Sequence, residues 1–217
     1  MSLAFEELDY PPTAIGAVSL RRRQEPRLNN TSVYEVKLDD EFLMSSLFTV
    51  GEIALAEHTL IEPPIGGSVV VGGLGLGYTA HAALGMPGVE ELLVVEALAP
   101  VIDWHQRGLV PLGEHLTRDK RCRFELGDFF ALSDSPNGFD SRHSGRQFGA
   151  ILLDIDHAPD HHLATGYEGF YTAAGLQRLR RNLVADGVFA MWSNNTGEQN
   201  FVATLKQVFG HAAADVV

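Results

Sequence analysis

Ser68-Val-Val-Val71-Gly72-Gly73-Leu74-Gly75-Leu76-Gly77-Tyr78 decides the fold class of this chain. Its continuous apolar run predicts a strand buried on both faces, as the strands of parallel sheets are. The glycines that follow let the backbone turn sharply and let a ligand approach without a Cβ in the way. Residues 76–84 then read as a helix, whose first turn offers unpaired N–H groups and the positive end of a dipole. Strand, glycine-rich turn and helix in that order open a nucleotide-binding βαβ unit.

The same alternation continues downstream. Residues 91–95 predict a second strand and 100–108 a helix; residues 122–126 predict a third strand. Residues 150–153 are wholly apolar and predict a fourth strand, buried on both faces. A long helix is expected over 167–184, with Arg178, Arg180 and Arg181 near its end, where cations suit the dipole. Asp186-Gly187 then turns into a fifth strand over 188–192. Repeated β-α-β units require crossover connections, so the fold class is α/β, with a Rossmann-like, doubly wound, mostly parallel sheet. The Ser-, Gly- and Asn-containing stretch 133–147 predicts a surface loop inserted before the fourth strand. Residues 214–217 read as the start of another strand, so the sheet is expected to lack its last strand or strands within this sequence.

Upstream, the pattern changes at Pro63-Pro64. Residues 33–38 alternate, Asp39-Asp40 turns and 41–44 returns, which predicts a β-hairpin. Residues 50–61 predict an amphipathic helix that the two prolines cannot continue. The expected organisation is a small N-terminal β-hairpin extension with a linking helix over 1–62, and a nucleotide-binding catalytic domain over 63–217.

Composition narrows the function classes. The chain has 217 residues, 45% hydrophobic and 20% charged, which suits one ordinary globular domain with a sizeable core. A net charge of −12 argues against a nucleic-acid footprint, and Arg21-Arg22-Arg23, the single basic run, reads as a solvated strand end. No apolar run approaches the roughly 18 residues of a membrane helix. The first residues lack the basic-then-apolar order of a signal peptide. Cys122 is the single cysteine and reads as a buried thiol within a strand. These features together predict a cytoplasmic protein without nucleic-acid or membrane partners.

The chemistry concentrates at strand ends. Gly73, Gly75 and Gly77 form the cofactor turn, and Glu96 ends the second strand about 20 residues later, where an acidic side chain accepts from ribose hydroxyls. Asp128 and Phe129 follow the third strand, suited to an adenine amino group and ring. Asp154 and Asp156 follow the fourth, at the carboxyl edge where open α/β sheets bind ligands. Any one carboxylate also reads as a helix cap; three in register argue for one crevice. Trp192 ends the fifth strand and reads equally as cavity wall or core. His157, His161 and His162 read as solvated loop histidines rather than metal ligands, so no metal is expected. Gly75-Leu-Gly77-Tyr-Thr-Ala80 also fits the permissive dinucleotide pattern.

Gly72-Gly-Leu-Gly-Leu-Gly77, Val94-Val-Glu96, Gly127-Asp128, Ile151-Leu-Leu-Asp154 and Ala185-Asp-Gly-Val-Phe189 together resemble successive signatures of the spermidine synthase family. Most are shared with class I methyltransferases, and the likeness runs from about Val69 to Trp192, more loosely over 38–56. The resemblance implies decarboxylated S-adenosylmethionine as co-substrate, with Glu96 on the ribose and Asp128 on the adenine. It further implies Asp154 as the base that takes the proton from an attacking amine; Asp156 would help bind that cation. The family usually forms homodimers, and helix 50–61 would serve such an interface or simply cover the sheet.

The chain also departs from that family. Gly75 stands where an aspartate usually contacts the aminopropyl amine, and the loop after Asp154 differs from the usual Asp-Ser-x-Asp-Pro. A family glutamine has no counterpart near Leu43-Met44, and the polyamine-recognising Tyr-His-Glu is replaced near Thr49-Val-Gly-Glu52. Three further readings therefore stand beside aminopropyl transfer: a small-molecule methyltransferase using S-adenosylmethionine, a silent nucleotide-binding module and, more distantly, an NAD oxidoreductase.

Overall fold

The computed structural model describes residues 5–155, 167–194 and 199–217. Five strands build the parallel sheet: β6 (Ser68–Gly72), β7 (Glu91–Glu96), β8 (Cys122–Leu126), β9 (Phe148–Leu153) and β10 (Leu183–Met191). Their order is β10-β9-β6-β7-β8, and every neighbouring pair is parallel. β6 lies in the middle, and the chain winds to one side through β7 and β8, then to the other through β9 and β10. The direction reverses between β6 and β9, which opens a crevice at their carboxyl ends.

Alternation along these strands divides the core between two faces. Val69, Val71, Leu92, Val94, Ala150 and Leu152 pack with Ala80, Trp104 and Leu116. Those three come from α2 (Tyr78–Gly85), α3 (Ala99–Gln106) and α4 (Gly113–Arg118). Val70, Leu93, Val95, Ile151 and Leu153 face the other way, toward Phe129, Leu176, Leu179 and Val208. These belong to α5 (Phe129–Asp134), α6 (Ala173–Arg180) and α7 (Gln199–Phe209). β6 and β9 are buried throughout because they are interior strands covered on both faces, as their unbroken apolar runs require.

The N-terminal part is larger than a hairpin. The predicted pair is present as β4 (Thr31–Leu38) and β5 (Glu41–Ser45), antiparallel, with Asp39 at φ 48° in the turn. It extends into an antiparallel sheet with β1 (Phe5–Asp9), β2 (Pro12–Thr13) and β3 (Gly16–Glu25). Arg21, Arg22 and Arg23 therefore stand within a ten-residue strand rather than at a solvated end. They pair with Glu7, Glu6 and the Glu25–Glu35 couple, charges that periodicity does not reveal. Val18, Leu20, Val36 and Leu38 of this sheet join the first core cluster, as do Leu55 and Ala56 of α1 (Val50–Thr59). Trp104 Nε1 donates to Asp9 Oδ2 at 2.9 Å, a further tie between the two sheets.

Three other expectations change. The long helix over 167–184 is a 3-10 turn (Tyr167–Gly169) followed by α6, which begins only after Thr172. The Thr172 hydroxyl accepts from Gly175 N at 3.1 Å, an N-cap that fixes the start. Asn182 ends the helix by donating to Ser133 and Leu179 carbonyls, and Leu183 already pairs with Phe148 in the sheet. The stretch 133–147 is a surface excursion only in part. Phe139 and Asp140 within it are buried, and Asp140 pairs with Arg123 and Arg146. Residues 214–217 form no strand; they follow α7 without regular structure.

Candidate active site

The crevice at the carboxyl ends holds a cavity of about 170 Å³. Its floor is the glycine-rich turn. Gly73 has φ 94° and Gly75 φ 46°, both in the left-handed region that favours glycine. A Cβ at Gly73 would overlap the Asp154 carbonyl, and one at Gly75 would overlap the Met44 thioether. Gly77 precedes α2 and rests against His105 and Leu116 instead of facing the cavity.

The backbone N–H groups of this turn are committed within the protein. Leu74 N–H donates to Glu96 Oε2 at 2.9 Å, and Leu76 N–H points to the Met44 sulfur at 3.1 Å. Gly73 N–H bonds Val95 O and Gly77 N–H bonds Leu74 O. Glu96 thus buttresses the turn as well as lining the cavity; its other oxygen accepts from Leu98 N–H at 2.8 Å. Burial raises its carboxyl above the ordinary range, and the surrounding backbone N–H groups oppose that shift.

Asp128 also has two roles open to it. Oδ1 accepts from Phe130 N–H at 2.8 Å and Ala131 N–H at 3.3 Å, capping α5. Oδ2 faces the Tyr167 hydroxyl at 3.5 Å. Phe129 borders the cavity, but its ring lies in the core, stacked on Phe139 at 4.8 Å and packed beneath Gly72. The aromatic pair flanking Asp128 is Phe130 with Tyr167, centroids 3.9 Å apart. Phe130 is thus part of the core and also a wall.

Asp154 leaves β9 into the cavity floor. The Thr79 hydroxyl donates to its Oδ2 at 2.5 Å, and burial pushes the carboxyl up to about 6 despite that bond. Glu52, from the first turn of α1, enters from the opposite wall. Burial lifts it to about 7, and the nearby charge of Asp154 adds to the shift. Trp192 stands beside Glu52, its indole nitrogen filling the space where Gly51 lacks a side chain. Tyr78 completes this end, its phenol raised first by burial and also by the charge of Glu52. Asp156, His157, His161 and His162 lie outside the described residues.

The structure therefore brings Gly73, Gly75, Glu96, Asp128, Phe129, Asp154 and Trp192 around one cavity. Among its described lining residues are four carboxylates, Glu52, Glu96, Asp128 and Asp154, and no lysine, arginine or histidine. Sequence reasoning passed over Glu52 and Met44 as site residues. One signal pointed to Glu52: an acidic residue three positions after Thr49 suggests a capping box, yet Thr49 makes no side-chain cap bond. The carboxylate is released to the cavity. Met44 carries no comparable signal.

Comparison with known proteins bears on the fold. No family model matches the sequence. The spermidine synthase of Thermotoga maritima superposes with a TM-score of 0.63 at 17% identity, over 94% of this chain and 63% of that one. A spermidine synthase in complex with the transition-state analogue AdoDATO gives 0.61 at 16% identity, with the same coverage. The fold is class I methyltransferase-like. Human methyltransferase-like protein 13 in complex with SAH matches at 0.50 and 19% identity, over 75% of this chain and 72% of that one. The chain spans less than two thirds of the spermidine synthases it resembles. No helix among the described residues is long and apolar enough to cross a membrane.

Proposed function

We propose that the chain is a transferase that moves an aminopropyl group from decarboxylated S-adenosylmethionine to a small amine. The observation that carries this reading is the acidic lining of the cavity, four carboxyl groups without a facing cation among the described residues. A sulfonium and an amine are both cations, and a low-dielectric crevice lined by carboxylates attracts them. The carboxylate of intact S-adenosylmethionine would meet like charges, and the glycine-turn amides, the donors nearest to it, already have partners.

The chemistry follows from proton placement. An ammonium has no lone pair, so the acceptor must reach the sulfonium carbon as a free amine. Its nitrogen forms the new C–N bond as the C–S bond breaks, leaving neutral methylthioadenosine. Asp154, raised to about 6, accepts the displaced N–H proton and is largely ionised at neutral pH. The Thr79 hydroxyl fixes one oxygen and leaves the other toward the cavity. Glu96 and Asp128 would hold the ribose and adenine, with Phe130 and Tyr167 beside the base; Asp156 would assist with the amine.

Methyl transfer from S-adenosylmethionine is the second reading, favoured by one observation. Met44, rather than a carboxylate, closes the turn at Gly75, so nothing there selects an amine-ended tail. Calorimetric titration with S-adenosylmethionine, its decarboxylated form, methylthioadenosine and NAD separates these cases. Preference for the decarboxylated form and methylthioadenosine is expected. Preference for S-adenosylmethionine supports methyl transfer, and binding of NAD alone would sink both.

A further inference from the structure

We propose that His105 is a positioning residue for the glycine-rich turn, its imidazole donating to the Gly75 carbonyl and holding the turn in its nucleoside-binding shape. The inference rests on the reading of that turn as part of a nucleoside site. His105 lies on α3, behind the turn, and is wholly buried. Its Nε2 stands 2.9 Å from Gly75 O. A carbonyl only accepts, so Nε2 carries the hydrogen and Nδ1 is the bare nitrogen. Nδ1 is buried and has no hydrogen-bond partner among the described residues. Burial pushes the imidazole down to about 4, so the ring is neutral at physiological pH.

This arrangement is a poor choice for stability alone. A leucine would fill similar space without burying an unpaired acceptor, which folded proteins avoid. Two of the ring's contacts are with the glycine-rich turn itself. It backs Gly77, stands edge-on to Phe124 at 5.8 Å, and bonds Gly75. From the cavity side, Met44 presses on Gly75 and receives the Leu76 N–H. Gly75, at φ 46°, is thus held from behind by a hydrogen bond and from in front by a thioether. Neither holder belongs to the glycine motif.

The test compares His105→Leu with His105→Gln, whose amide nitrogen can occupy the place of Nε2. Three quantities are measured: thermal unfolding, methylthioadenosine affinity, and hydrogen exchange at the Leu76 and Gly77 amides. For His105→Leu an unchanged or higher unfolding temperature is expected, together with affinity lower by roughly tenfold. Exchange at the two amides accelerates. His105→Gln restores affinity and protection. A lower unfolding temperature in the leucine variant, with affinity and exchange unchanged, would show a packing role and overturn the proposal. If the wild-type protein binds no methylthioadenosine, the nucleoside reading fails, while the exchange comparison still decides whether His105 holds the turn.

Discussion

Replacing Glu52 with glutamine should make the protein more stable, and only on the alkaline side. Glu52 ionises at about 7 in the folded protein, against an ordinary 4.5, because its carboxylate enters a desolvated cavity near Asp154. A raised carboxyl pKa means that the folded state binds the proton more tightly. Stability is then lost as pH rises from the unfolded value through the folded one. The displacement corresponds to about 3 kcal/mol when the group is fully ionised. Glu52 is only half-buried, so solvent screening reduces the figure to about 2 kcal/mol. Glutamine keeps the shape and escapes this penalty. Urea denaturation of both proteins at pH 4.5 and pH 8 measures the difference. Near equality is expected at pH 4.5, and a gain of about 2 kcal/mol at pH 8, equivalent to roughly 4–8 °C in a chain of this size. A loss of stability at pH 8, or the same change at both pH values, would refute the assignment of Glu52 as a strained cavity acid.

Three further outcomes are expected. If aminopropyl transfer is the reaction, Asp154→Asn should lower kcat by about 10²- to 10⁴-fold while methylthioadenosine affinity holds, since the proposed base is removed and the proposed nucleoside contacts are not. In the wild type, kcat/KM should fall as pH drops through about 6, where Asp154 becomes protonated; a flat acid limb would count against Asp154 as base. Asp140 is opposed by burial but held ionised by Arg142 N–H, His143, Arg146 and Arg123. Asp140→Asn should therefore cost about 3 kcal/mol at pH 7. That gap should narrow below pH ~4, where the unfolded wild type takes up its proton. A gap independent of pH would mean that packing, and not charge, anchors the 133–147 excursion.

The parallel sheet was legible because its information is local. Strands such as β6 and β9 are interior, so their central residues are apolar, and the glycines after β6 mark a turn that side chains would block. Strand ends point to one edge of a parallel sheet, so their order in the sequence already puts Glu96, Asp128 and Asp154 at that edge. Asp128 shows where that reasoning stops: its position signals both cap and ligand, and in the fold Oδ1 caps while Oδ2 faces Tyr167.

Other features arise only when distant segments meet. β3 pairs with β1 and β4 through runs of charge that resemble a solvated surface until Glu6, Glu7 and Glu35 stand beside the arginines. Helix α6 is shortened by Thr172 and Asn182, whose bonds outweigh a favourable helical composition. Met44 and Glu52 reach the cavity from the N-terminal sheet and α1, far in sequence from Gly75 and Asp154. The sequence by itself determined which residue types stand at the carboxyl edge of the parallel sheet. The tertiary structure alone decided the proton affinities of Glu52, Glu96 and Asp154, because desolvation and the charge of a facing wall are sums over neighbours that no local pattern encodes.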